Sequence, residues 1–246
     1  MNIFVYDSFL AAKNKLLFPI ETKITDLGLN GKICRLESVK NINQFIQNES
    51  SQNITTLIAV GNDHTFKKLV NPAANLGVPL SIIPIGNKDN FIAEALGIPP
   101  GEKACEVISM RRLERLDLGK INDFYFLTNL FSAIKDVTIR IDGEYEIQAD
   151  KGAFNIVNFD THEHPLPENF DFDPQDGILH LIISLKEKSS LFKEKREESV
   201  FPFRYLTIEG KNGMINLNDS LKVAPPAKIT VKKQGLRVIV GKDRKF

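Results

Sequence analysis

Residues 55–66 read TTLIAVGNDHTF, and this stretch decides the fold. Thr55–Val60 is a short, compact apolar run, the form a strand takes when a parallel sheet is covered on both faces. Gly61, Asn62, Asp63, His64 and Thr65 then turn the chain. His64–Leu76 follows with Phe66, Leu69, Val70 and Ala73 at helical spacing. The pattern recurs downstream: Pro79–Ile83 predicts a strand and Asp89–Leu96 a helix, with Gly97 at the stop. Upstream, Asn2–Tyr6 predicts another strand. Strand and helix in alternation predict an α/β domain with a parallel sheet and flanking helices, placed at residues 1–107. Ligands of such sheets bind beyond the carboxyl ends of the strands, so the loops after Val60 and Ile83 are where chemistry is expected.

Both loops have suitable parts. Backbone amides at a helix N-terminus attract anions, and Gly61 lets the backbone come close to a phosphate. Asp63 and Thr65 can equally cap the helix, which makes this loop an ordinary strand-to-helix turn on its own. The second loop, IIPIGNKDNF, places Gly86, Asn87, Lys88, Asp89 and Asn90 before a helix. The two loops are expected to open on the same edge of one sheet.

Beyond about Ile108 the helical rhythm fades. Leu116–Leu118, Phe124–Thr128, Val137–Ile141, Phe154–Val157, Ile178–Ser184, Arg204–Ile208, Ile229–Val231 and Leu236–Val240 read as strands separated by Gly, Asn, Asp and Pro. Residues 108–246 are therefore expected to form a mostly-β domain, a sandwich. The charged segment Lys186–Ser199 reads as an exposed loop or short helix.

Composition narrows the function classes. The chain has 246 residues, 42% apolar and 26% charged, enough for two domains with ordinary cores. A net charge of +1 argues against a general nucleic-acid binder. Charge clusters between Lys228 and Phe246, with seven Lys or Arg and one Asp, readable as a solvated strand face or a membrane-surface patch. Cys34 and Cys105 lack metal-ligand or redox spacing and read as idle thiols in a reducing compartment. No secretory signal and no apolar run near ~18 residues is seen, so a cytoplasmic location is expected.

Taken together, Gly61-Asn62-Asp63-His64-Thr65, Pro84-Ile85-Gly86-Asn87-Lys88-Asp89-Asn90-Phe91 and Leu96-Gly97-Ile98-Pro99 resemble the diacylglycerol kinase, sphingosine kinase and bacterial lipid kinase family. There the corresponding motifs are Gly-Gly-Asp-Gly-Thr, Pro-Leu-Gly-Thr-Gly-Asn-Asp-Phe-Ala and Leu-Gly-Ile-Pro. The resemblance continues in LERLDLGKINDFYFLTN, DPQDGILHLII and KITVKKQGLRVIV. The family's early Asn-Pro phosphate loop is absent, and Tyr6-Asp7-Ser8 stands near its place.

The resemblance implies a divergent lipid kinase that uses ATP and Mg²⁺ to phosphorylate a lipid hydroxyl. It implies nucleotide contacts at Gly61, Asn62, Asp63, His64, Thr65, Gly86, Asn87 and Asn90, with Asp89 as the other register for the last. It implies a structural metal site at Asp173, Asp176 and the Ile178 carbonyl, a set of oxygens suited to a hard cation. Asp219 falls where the family has its catalytic base, without the Gly and Glu that usually follow. The complete Asp142-Gly143-Glu144 lies too early and reads as a hairpin turn. Asn62 and His64 replace two loop glycines, which leaves open a catalytically inactive relative that binds nucleotide, lipid or a protein partner. Peripheral contact with the inner membrane face and a homodimer are the remaining expectations.

Overall fold

In the computed structural model, described for residues 1–11, 13–86, 88–163, 166–167, 170–185, 197–210, 214–216 and 222–246, the chain divides into two units. Unit 1 comprises Met1–Leu116, Thr161–His164 and Gln234–Phe246; unit 2 comprises Asp117–Asp160 and Pro165–Lys233.

Unit 1 holds β1 (Asn2–Tyr6), α1 (Asn14–Asp26), β2 (Gly31–Arg35), α2 (Ile42–Glu49), β3 (Thr56–Gly61), α3 (Asp63–Leu76), β4 (Leu80–Pro84), α4 (Phe91–Ala95) and α5 (Glu102–Met110). The strands pair in parallel in the order β4-β3-β1-β2. Both β3 and β4 are buried along their whole length, as their unbroken apolar runs predict. Because β2 lies on one side of β1 and β3 on the other, the connections leave β1 and β3 in opposite directions. That is a topological switch point, where open α/β sheets bind ligands.

Unit 2 is β-rich, as expected. Its strands are β5 (Leu113–Ile121), which begins in unit 1, β6 (Phe124–Phe126), β7 (Asn129–Ile141), β8 (Tyr145–Val157), β9 (Leu179–Leu185), β10 (Glu197–Phe203), β11 (Tyr205–Gly210), β12 (Ile215–Asn216), β13 (Lys222–Val223) and β14 (Ala227–Ile239). The order β10-β9-β8-β7-β11-β14 is antiparallel throughout. Its core gathers Leu130, Ile139, Ile156, Leu181, Leu206 and Ile229, all essentially inaccessible. The Lys186–Ser199 reading is replaced at its end by β10, which includes Glu197–Ser199; residues 186–196 lie outside the described residues. Asp142 and Gly143 sit at positive φ in the β7–β8 hairpin, so this Asp-Gly-Glu is the turn its position predicts. The Asp142 carboxylate accepts the backbone amides of Arg204 and Tyr205 at 3.1 and 2.7 Å.

The late part of β14 belongs to unit 1. Val238 pairs in parallel with Leu80, and Val240, Gly241 and Lys245 donate to Arg112, Leu96 and Ala95 carbonyls at 2.8–2.9 Å. Cys34 and Cys105 are buried free thiols.

Candidate functional site

The ends of β1 and β3 meet at the switch point. Gly61 closes β3 in register with Pro84, and its carbonyl accepts the Ile85 amide at 2.7 Å. A Cβ at Gly61 would collide with the Thr65 hydroxyl and lie 2.9 Å from the Asp7 Cβ, so glycine is the residue this crowding permits. The crowding has a chemical purpose. Thr65 Oγ1, fully buried, donates to the buried Asp7 carboxylate. Asp7 also accepts from the Phe9 amide at 3.2 Å and the Ser8 hydroxyl at 3.3 Å. Burial alone would raise the Asp7 carboxyl, but Thr65, Phe9, Lys68 and Ser8 together hold it below its ordinary range.

Asn62 is the N-cap of α3. Its Oδ1 accepts the amides of His64 and Thr65 at 3.1 and 3.4 Å. The Asp63 amide donates to the Asp89 carbonyl at 2.9 Å, and the Phe66 amide to the Asn62 carbonyl at 3.1 Å. The first four amides of α3 are therefore all satisfied within the protein, where an uncapped helix would offer them to an anion.

Asp63 ties the two loops together. Only 4% exposed, it accepts the Ile92 amide at 3.1 Å on both carboxylate oxygens. Burial pushes its carboxyl up to about 7, opposed by the Ile92 amide and Lys67. Lys67 in turn pairs with Glu163 at 3.1 Å. His64, half-buried, follows on the first turn of α3.

The loop after β4 is built differently. Gly86 is exposed at φ +86°, with nothing within 4 Å of where a Cβ would stand. The helix expected over Asp89–Leu96 starts only at Phe91, because Asp89 has φ +57°, outside the helical region. Asn90 is the N-cap; its Nδ2 donates to the Gly86 carbonyl at 2.9 Å. Its Oδ1 is buried and has no hydrogen-bond partner among the described residues. Asn87 lies outside the described residues.

In unit 2, Asp173 and Asp176 share the turn that enters β9. Each uses one oxygen to accept a nearby amide, from Gln175 at 2.8 Å and from Ile178 at 2.7 Å. Burial, with Asp173 and Asp117 nearby, holds the Asp176 carboxyl above its ordinary range against the Ile178 amide and His180. Among the described residues no three His, Cys, Asp or Glu side chains draw together as a ligand set, so a cation here would need the Ile178 carbonyl and water. Asp219 lies outside the described residues.

Two buried acids escaped the sequence reading as site residues. Asp7 stands at the switch point, and its sequence signal is an acid closing an apolar strand. Asp117, only 1% exposed on β5, accepts the Gly177 amide at 2.6 Å and so fixes the Asp173–Ile178 turn. Its signal is a lone charge between two leucines in RLDLG.

Residues 10–121 match the family model described as the diacylglycerol kinase catalytic domain. Over this segment, a little under half of its length, the chain is similar to that family. It is 37% identical over 79 residues to the diacylglycerol kinase of Staphylococcus saprophyticus, covering 31% of this chain and 26% of that protein. It is 35% identical over 94 residues to an uncharacterized protein of Synechocystis, covering 37% of this chain and 21% of the relative. The chain thus spans less than half the length of the curated relatives it matches, between 21% and 44%. A crystal structure of a diacylglycerol kinase from Bacillus anthracis superposes with a TM-score of 0.76 at 16% identity, over 99% of this chain and 98% of that one. That likeness gives the diacylglycerol kinase fold, an N-terminal α/β domain followed by a β-rich one. No helix among the described residues is long and apolar enough to cross a membrane.

Proposed function

We propose that this chain is a divergent member of the diacylglycerol kinase family and transfers a phosphoryl group from ATP to a lipid hydroxyl. One observation carries the reading: the two loops that match the family's nucleotide motifs are bonded to each other at the switch point of unit 1. Gly61 meets Ile85, the Asp63 amide meets Asp89, and the Asp63 carboxylate meets Ile92. ATP would supply the transferable phosphoryl group. Gly61, Asn62, Asp63, His64, Thr65, Gly86, Asn87 and Asn90 are the proposed nucleotide contacts. Gly86 leaves room for a close approach, and the Asn90 Oδ1 offers an acceptor to an incoming N–H or O–H. Asp219 is the proposed base for the lipid hydroxyl, and Asp173, Asp176 and the Ile178 carbonyl the proposed Mg²⁺ ligands.

The α3 amides fit phosphate only after Asn62 lets go of them. An N-cap is worth about 1 kcal/mol, so exchanging it for phosphate weakens binding roughly fivefold. The cap attenuates nucleotide binding and does not forbid it. Asp7 adds a second obstacle, because its carboxylate already holds the Thr65 hydroxyl and repels phosphate.

The closed α3 N-terminus favours a second reading, a catalytically inactive relative. Calorimetric titration with Mg·ATP and labelled-phosphate transfer to diacylglycerol or a total lipid extract separate the two. Binding and transfer by the natural chain, with transfer lost in Asp63→Ala and Asp219→Asn, support the kinase. Binding that appears only in Asn62→Gly supports the inactive relative. Transfer that survives both Asp substitutions together refutes the residue assignment.

A further inference from the structure

We infer that Glu163 is a tethered anion that holds Lys67 away from an incoming phosphate, so that the segment of residues 161–163 acts as an autoinhibitory strap on α3. Thr161, His162 and Glu163 group with unit 1, whereas Asp160, just before them, groups with unit 2. Thr161 is buried, only 6% exposed, and His162 stands at φ +59°, a conformation that an L residue rarely adopts. The segment is thus seated at its start, and its third residue reaches α3. There the Lys67 Nζ lies 3.1 Å from the Glu163 carboxylate, with both side chains part-buried.

Lys67 would ordinarily serve another acid. It lies four residues after Asp63, the spacing at which an acid and a lysine pair along a helix. Asp63 instead turns both carboxylate oxygens to the Ile92 amide, which leaves Lys67 to Glu163. The three charges remain close, since Lys67 draws the Asp63 carboxyl down and Glu163 pushes it up. Lys68, next on the helix, has a similar relation to Asp7, whose carboxyl it helps to hold low. Each lysine of α3 thus faces a carboxylate brought from another part of the chain.

The strap regulates the candidate nucleotide loop, so its role rests on that reading of the loop. A lysine ammonium is a good phosphate partner. A polyphosphate arriving at Gly61–Thr65 nevertheless meets Asp7, Asp63 and Glu163 together, and like charges at short range disfavour one another, so an acid must withdraw. Asp7 and Asp63 are buried and hold the Phe9 and Ile92 amides, so moving either would strand an amide. Glu163, with a side chain 30% exposed, can swing into water. A part-exposed ion pair is weak enough for a polyphosphate to displace. Lys67 then passes from the carboxylate to the phosphate.

Calorimetric titration of the full chain with Mg·ATP, and separately with Mg·pyrophosphate, tests the strap. Glu163→Gln keeps the size of the side chain and removes its charge. It should bind both probes about fivefold more tightly than the natural chain, with Tm lowered by at most about 4 °C. Glu163→Asp, which keeps the charge and shortens the reach, should fall between the two, and it decides the matter if Glu163→Gln does not fold. The gain should require Lys67, so that Glu163→Gln with Lys67→Met binds no more tightly than Lys67→Met alone. Raised salt should narrow the difference between natural chain and Glu163→Gln. Binding by Glu163→Gln no tighter than by the natural chain overturns the inference and leaves a purely structural ion pair, while the nucleotide reading stands. A gain that survives Lys67→Met overturns it as well. Failure of every variant to bind either probe overturns both readings. Tighter binding by Glu163→Gln without labelled-phosphate transfer to lipid supports the strap and tells against the kinase.

Discussion

The loops after β3 and β4 end neighbouring strands of one sheet, yet they dispose of their polar groups in opposite ways. After β3 every early amide of α3 has a protein acceptor, and Thr65 is held by Asp7. After β4 Gly86 opens on space and the Asn90 Oδ1 has no partner among the described residues. A family motif can thus keep its position while its chemistry turns inward. One side chain in place of a glycine suffices, because Asn62 supplies the acceptor that a ligand would otherwise provide.

If the β3 loop is the tightly bound one, changes there must cost far more than changes after β4. The largest effect is expected from pH. Burial raises the Asp63 carboxyl from 3.8 to about 7. The folded state then holds a proton that the unfolded state releases, so the Asp63 contribution is complete below the unfolded pKa and is lost as pH rises through about 7. Urea unfolding of the natural chain and Asp63→Asn should diverge between about pH 4 and 7 and run parallel above that, by at most about 4 kcal/mol in favour of the variant. Parallel pH profiles would show that Asp63 is not the buried acid described.

Next comes Gly61→Ala, whose added carbon must displace Asp7 or Thr65. A loss on the order of 2–3 kcal/mol in thermal or urea unfolding is expected, and a neutral result would mean the switch point is loosely packed. Asn62→Ala should cost about 1 kcal/mol by removing the α3 cap, measured the same way. The smallest change belongs to the other loop. Asn90→Ala removes one partly exposed bond and one unpaired acceptor, so stability should move by less than about 0.5 kcal/mol. A larger loss from Asn90→Ala than from Asn62→Ala would invert the comparison.

What the sequence made legible follows the range of the interactions. The β3–α3 and β4 elements were readable because apolar runs, turn residues and caps lie within a dozen positions. The Asp7–Thr65 bond joins residues 58 apart, and no local pattern reports it. β7 was visible only as Val137–Ile141, because Asp136, at φ +50°, interrupts a strand that begins at Asn129. Lys232, Lys233 and Gln234 likewise split β14 into two apparent strands. They remain one because β11 partners its first part and β4 its last. α1, β2 and α2 were missed altogether. Their polar residues outweigh a narrow buried stripe, such as Leu17 and Ile20 in α1 or Ile46 in α2. The site residues of unit 1 were largely named from motif resemblance, whereas their inward hydrogen bonding required coordinates.

The closing residues of unit 1 carry a kinetic consequence. Its sheet edge at β4 and the carbonyls of Ala95, Leu96 and Arg112 find their partners in residues 238–245. During synthesis those partners emerge after the whole of unit 2 has been made. A ribosome-bound chain therefore exposes an unfinished β4 edge for most of translation, and truncation within the last dozen residues should injure the first domain to appear before the second.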